Sequence, residues 1–378
     1  MNSDSLERAL QKLLASVTGP DPEAVRAAET RQGRLAKPPG SLGKLEELSV
    51  KLAGITGSVK NELRKRRLFV FAADNGVVRE GVAAAPQSVT WKQTLNLTRA
   101  RTGASVLCRA AGSEITVVDV GVNADLPAGS VLDRKLMRGT GDIAEGPAMS
   151  RETAVKAVLT GAELAASSDA DVIGVGEMGI GNTTTSAAVL SAFLGLDPEK
   201  TAGRGGGLTE EGLLRKREVI RRALSVNRPD PSDPVDVLSK VGGLDIAAMC
   251  GAFLGAASSR KPAVIDGFIS AVSALAAYRL CPQVRAYLIP SHASAEAGFR
   301  LAMEEMDLRP FLLLDMRLGE GSGCPIAFQI LDDACAVMNH MATFEEAGIE
   351  DGYLDEIRRE EENSRKDGVR REDATRQE

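Results

Sequence analysis

Two glutamates stand in unusual company. Residues 172–190 read VIGVGEMGIGNTTTSAAVL: an apolar run, Glu177 among glycines, then the start of an Ala-rich helix. Residues 312–323 read LLLDMRLGEGSG, with Glu320 between Gly319 and Gly321. Glycine on both sides lets the backbone turn freely and aim a carboxylate into a cleft. Among apolar neighbours a carboxylate can reach general-base range. The first stretch also spells G-x-G-x-x-G at Gly174, Gly176 and Gly179, the spacing that lets a backbone approach a dinucleotide pyrophosphate. Glu177 argues against that use, because like charges ~4 Å apart at an effective dielectric of ~20 repel by about 4 kcal/mol. The helix opened by GNTTTSAA suits one monophosphate instead, held on the far side from Glu177. Asn182, Thr183 and Thr184 are its candidate caps.

A second glycine cluster, TAGRGGGLTEEGLLRKREVI (201–220), carries Gly203, Gly205, Gly206 and Gly207 before a helix. Thr209 is the expected N-cap, and Lys216 lies two turns into the helix. A glycine nest beside a lysine is an anion cradle; a solvated loop with a surface lysine fits the same letters. In residues 73–107, small residues with Pro86, Gln87 and Gln93 follow an apolar run. An alanine-lined wall with one amide suits a flat, weakly polar ring, and loop packing explains it nearly as well. No H-E-x-x-H or G-x-S-x-G motif occurs. From residues alone the expectation is an α/β enzyme with a phosphate cradle and two candidate carboxylates.

The bulk numbers agree. The chain has 378 residues, 43% of them hydrophobic, enough for a sizeable core. A net charge of −6 argues against a nucleic-acid or anionic-membrane surface. Five cysteines without a C-x-x-C pair fit reduced thiols, and two histidines make a His-based metal site unexpected. The opening MNSDSLERALQKLL carries acids and lacks the apolar centre of a signal peptide, so a soluble cytoplasmic protein is expected.

These residues need elements to position them. Short apolar runs at 68–76, 115–122, 171–179, 263–268, 286–294 and 311–323 alternate with Ala-rich helical segments. That pattern predicts a parallel sheet covered on both faces, with ligands beyond the C-terminal strand ends. Asp74, Asn75, Asp119, Glu177, Asp266, Ser294 and Glu320 follow such runs. Any one of them can simply end a strand; together they point to one cleft. Both chain ends read as helical, with Leu45, Leu48, Leu52 and Ile55 at helical spacing. The expected organisation is α/β: a Rossmann-like parallel sheet flanked by helices over 61–330, and a smaller helical domain from 1–60 and 331–353. Residues 354–378, almost all charged or polar, read as a frayed helix or a disordered tail.

In order and spacing, several segments resemble the nicotinate-nucleotide–dimethylbenzimidazole phosphoribosyltransferase family. They include KPPGSLGKLEEL (37–48), AADNGVVREGV (72–82), GEMGIGNTTTSAA (176–188), GRGGGLTEEGLLRK (203–216), VIDGFI (264–269), SHASAE (291–296) and MRLGEGSG (316–323). The resemblance covers about residues 35–345. It implies transfer of the phosphoribosyl group of nicotinate mononucleotide to a ring nitrogen of 5,6-dimethylbenzimidazole, with inversion at C1′. The family's general base falls on Glu320. Glu177 then holds the azole or stabilises charge growing on the ribose. The family's phosphate and ribose contacts fall on Gly179, Gly205, Lys216, Asp266, Gly267 and Ser294, and the azole pocket on Gln93. Where many members read ADHG, this chain has Asn75; Ala85 replaces a serine found in some, which leaves the preferred azole open. No metal and no redox cofactor is implied. Members are homodimers with a Rossmann-like large domain and a small helical one. Two rival readings remain: a nicotinamide-dinucleotide oxidoreductase, and a non-catalytic protein that binds a benzimidazole or a nucleotide.

Overall fold

The computed structural model describes residues 3–354. Six parallel strands form one sheet: β1 (Arg66–Ala73), β2 (Glu114–Gly121), β3 (Leu132–Asp133), β4 (Val172–Met178), β5 (Ala263–Ile265) and β6 (Leu288–Pro290). The order is β3-β2-β1-β4-β5-β6. β4 is buried along its whole length and β1 from Leu68 onward. Helices cover both faces, so the strands read as unbroken apolar runs rather than alternating ones. Leu68 pairs with Ile115 on one side and with Gly174 on the other, which sets β1 at the centre. Strand order reverses between β1 and β4, and in such sheets this switch point opens a crevice at the C-terminal ends.

Behind the sheet, the helix Leu244–Ser258 is buried almost all round and packs on the helix Arg151–Ser167. A Cβ on Gly161 would lie 1.8 Å from the Ala248 carbonyl oxygen, so only glycine permits the crossing. This fixes the start of the helix at Leu244 beneath the crevice.

The chain divides into two compact units, one of the described residues up to Pro20 with Leu63–Gln329, the other of the described residues in Asp21–Glu62 and from Ile330 onward. The opening helix, Ser3–Ser16, thus groups with the sheet, contrary to the expectation that 1–60 is one segment of the small domain. The cause is its apolar stripe: Leu6 and Leu10 are buried, the helix packs on Arg151–Ser167, and the Tyr287 hydroxyl donates to the Thr18 carbonyl at 3.0 Å. In the second unit the helices Pro22–Arg34 and Lys44–Thr56 pack together, with Ala24, Ala28, Ala53 and Met338 in one cluster. Past Leu354 the expected charged tail lies outside the described residues. Among the described residues no helix is long and apolar enough to cross a membrane.

One expected strand is absent. Segment 311–323 makes only an isolated parallel bridge, His292 to Leu312. Leu313 is 82% exposed and Leu318 59%. Asp315 has φ of 52°, which breaks an extended run, and β6 beside it is only three residues long. The segment instead carries its glutamate over the crevice. The two-residue edge strand β3 has no apolar run to announce it.

Candidate active site

A cavity of about 450 Å³ lies beyond the C-terminal ends of β1, β4, β5 and β6. Gln93, Glu177, Gly179, Gly205, Asp266, Gly267, Ser294 and Glu320 all line it. Of the residues on which the family resemblance places the site, Lys216 alone is missing from the lining.

Glu320 reaches the cavity on a loop built of left-handed residues. Gly319, Glu320 and Gly321 have φ of 84°, 62° and 83°. A non-glycine residue in this region costs about 1–2 kcal/mol. Carboxylates hold the loop there. Glu177 Oε1 accepts the Glu320 N–H at 3.1 Å; Asp266 accepts the N–H groups of Gly321 at 3.0 Å and Gly323 at 2.7 Å. Gly176 makes room: a Cβ on it would lie 2.6 Å from the Gly321 Cα and 2.7 Å from the Glu320 carbonyl oxygen. The Glu320 carboxylate itself is lightly held. Its oxygens accept from Gln93 Nε2 at 3.4 Å and from the Ala104 N–H at 3.3 Å, and it is 6% exposed. Such long bonds leave it free to take another proton donor.

Glu177 is bound at both oxygens. Oε2 accepts from Asn182 Nδ2 at 2.5 Å, and the same nitrogen donates to Asp245 Oδ2 at 3.0 Å. Burial pushes the Glu177 carboxyl up to about 8; the charge of Asp245 adds to this and the Asn182 bond opposes it. Burial likewise pushes Asp245 up to about 6. One amide therefore separates two buried acids that would otherwise meet. Asp266 is raised by burial, with the nearby His292 acting against it.

The G-x-G spelling has a packing cause. Gly174 and Gly176 lie inside β4, not in a loop after it. A Cβ on Gly174 would lie 2.8 Å from the Cys324 Cβ. Both glycines admit the Glu320 loop and the helix Gly323–His340. No backbone is left there for a pyrophosphate, so the dinucleotide reading loses its motif.

Beyond β4, the helix Asn182–Leu194 opens from Gly181 with no side-chain cap. Two of the three expected caps are engaged elsewhere, Asn182 by the two acids and Thr183 Oγ1 by Lys216 Nζ at 2.8 Å, and the Thr184 hydroxyl is buried with no partner among the described residues. The uncapped end faces the cavity, as an anion site requires. Lys216 is fully buried behind it, and its ammonium also donates to the Gly203 carbonyl at 3.0 Å. Burial lowers it to about 8, opposed by the charge of Glu296. In this structure it braces the glycine loop and Thr183 from behind the residues that line the cavity. Thr209 caps the helix Glu210–Asn227, accepting the Gly212 N–H at 3.1 Å.

Three strand-end residues serve the fold instead of the cavity. Asp74 accepts the Asn123 N–H at 2.7 Å, Asp119 pairs with Lys135 at 2.9 Å, and Asn75 accepts from Thr185 Oγ1 at 3.3 Å. Asn75 is off the lining, whereas Ala85 is on it, in an apolar wall with Val82 and Val89. Sequence reasoning missed Asp245 and Glu296, and took Asn182 only for a cap. Asp245 opens a helix that carries no other charge before its C-terminus, and that isolation is the available signal. Among the described residues no group of three acids, cysteines or histidines is placed to hold a metal; the five cysteines are buried and unbridged.

Comparison with known proteins agrees with this geometry. The family described as phosphoribosyltransferase (DBI_PRT) matches residues 17–349. The chain is 50% identical to the nicotinate-nucleotide–dimethylbenzimidazole phosphoribosyltransferase of Ruminiclostridium cellulolyticum over 87% of this chain and 94% of that one. It is 46% identical to the protein of that name from Clostridium perfringens (strain ATCC 13124), over 93% and 98%. The crystal structure of CobT from Thermus thermophilus superposes with a TM-score of 0.84 at 43% identity, covering 88% of this chain and all of that one. With the cavity at the switch point and the two glutamates joined at its wall, these matches establish that the chain belongs to the phosphoribosyltransferase family.

Proposed function

We propose that the chain transfers the phosphoribosyl group of nicotinate mononucleotide to 5,6-dimethylbenzimidazole or a related azole. The products are nicotinate and α-ribazole 5′-phosphate, for assembly of the lower ligand of cobalamin. The observation that carries this reading is the placement of Glu320: a buried, lightly bonded carboxylate at the wall of a cavity that an uncapped helix start also lines.

The chemistry asks little more. The pyridinium leaves C1′ with the bonding electron pair and becomes neutral, so no general acid is needed. One azole nitrogen attacks C1′ from the opposite face. The N–H proton of the other nitrogen passes to Glu320, which later returns it to water. The uncapped helix and the glycine loop hold the phosphate, with Lys216 bracing them. Gln93 and the apolar wall of Val82, Ala85 and Val89 seat the azole. Glu177 holds the Glu320 backbone in place at the cavity wall.

Glu320→Gln tests the base. It keeps mononucleotide binding and loses most turnover, read as nicotinate release with a panel of azoles. Full activity in that variant removes Glu320 from the mechanism, and a wild type that releases no nicotinate with any azole leaves only the non-catalytic binding reading. The enzyme is further proposed to work in the cytoplasm as a homodimer, with the exposed Leu313, Leu314 and Val106 in the contact. A monomer in sedimentation at micromolar concentration counts against the dimer.

A further inference from the structure

Four acids line the cavity: Glu177, Asp266, Glu296 and Glu320. Glu177 is bound at both oxygens by Asn182 and the Glu320 N–H, and Asp266 at both by the N–H groups of Gly321 and Gly323. Glu320 keeps two long bonds and is assigned to the azole proton. Glu296 is different. Its Oε2 is buried and has no donor among the described residues. It precedes the helix Ala297–Glu305 but does not cap it with its side chain. The carboxylate lies over Gly203, where a Cβ would fall 2.2 Å from Oε2. That places it beside the carbonyl that accepts from Lys216, at the glycine-loop end of the cavity.

A buried acceptor without a donor is unfavourable, and because Glu296 lines the cavity, a turn of its carboxylate lets a ligand donor complete it. The chemistry of the partner is restricted. A phosphate or a ring carboxylate is repelled by a carboxylate. Glu296 stands next to the anion cradle, so its partner is a neutral donor attached close to a phosphate. In a mononucleotide the donors that fit are the hydroxyls of the sugar. We propose that Glu296 accepts a hydrogen bond from a ribose hydroxyl of the mononucleotide and so selects ribosyl over deoxyribosyl donors. The proposal rests on the mononucleotide reading above.

The test compares kcat/KM for nicotinate mononucleotide and its 2′-deoxy and 3′-deoxy analogues in wild type, Glu296→Gln and Glu296→Ala. Wild type favours the ribosyl substrate over at least one analogue by roughly 10–100-fold, as the loss of one hydrogen bond to a charged acceptor implies. Glu296→Ala brings that ratio within about threefold of one, by losing the ribosyl substrate while sparing the deoxy one. Glu296→Gln, a neutral acceptor of the same length, falls between. An unchanged ratio, with both substrates weakened alike, overturns the proposal and leaves Glu296 a support for Lys216. If wild type releases no nicotinate with any azole, the transfer reading fails separately. Calorimetric titration with the ribosyl and deoxyribosyl mononucleotides then reads the contact directly, with the same ratios expected and equal affinities refuting it.

Discussion

Replacing Gly176 with alanine adds one methyl group on β4 and removes nothing from the site. Its Cβ would stand 2.6 Å from the Gly321 Cα and 2.7 Å from the Glu320 carbonyl oxygen and the Gly321 nitrogen. Ordinary contact begins near 3.4 Å, so the Glu320 loop must retreat by 3.4 − 2.6 = 0.8 Å. The obstacles are backbone atoms, and carboxylates grip both sides of them through the N–H groups of Glu320, Gly321 and Gly323. The strain cannot dissipate in a side-chain rotation. Overpacking of this kind costs about 1–3 kcal/mol. At ~2.1 cal/mol/K per residue, that lowers the thermal midpoint by roughly 1–4 °C. The catalytic effect is larger, because misplacing a reacting group by ~1 Å costs on the order of 100-fold. Gly176→Ala is therefore expected to lose about 10–100-fold in kcat, with mononucleotide affinity changed less than about threefold. The assay is nicotinate release at saturating azole, beside calorimetric binding of the mononucleotide. Gly33→Ala, where a Cβ meets nothing within 4 Å, serves as the control and is neutral or slightly stabilising. Wild-type turnover in a destabilised Gly176→Ala protein would refute the idea that Glu320 acts from a rigidly placed loop.

Glu177 makes stability fall with rising pH. Its folded-state value is raised from 4.5 to about 8, so between these pH values the folded chain holds a proton the unfolded chain has lost. The contribution is full below pH ~4.5, declines by at most about 1.4 kcal/mol per pH unit and ends near pH 8; Glu177→Gln flattens this part of the denaturation profile, and an unchanged slope counts against the assignment. Lys216, lowered to about 8, loses its charge as pH rises through that value. The KM for the mononucleotide should rise above pH ~8 in wild type, and Lys216→Met should raise KM more than it lowers kcat and abolish that rise. Loss of kcat alone would exclude a role at the phosphate end. Asn182→Ala leaves Glu177 and Asp245 without their shared donor; a stability loss of about 2 kcal/mol or more and a clear fall in kcat are expected in urea unfolding and turnover assays, and a neutral result would show that the bridge carries no strain.

The sequence by itself determined five of the six strands, the class of sheet and the placing of the strand-end residues Glu177, Asp266 and Ser294 at one cavity. The reason is that continuous burial forces continuous apolar spelling, and strand ends in a parallel sheet meet on one side. The run 311–323 misled because its leucines face outward, which spelling cannot distinguish from inward. Only the tertiary structure decided what each polar group is used for. Glu177 and Asp266 spend their oxygens on the backbone of the Glu320 loop, Lys216 supports the glycine loop from the core, and Glu296 is left with an oxygen to spare. Residue type fixes how many hydrogen bonds a side chain can make. Which of them are already made depends on neighbours that lie far apart along the chain, and folding alone brings those together.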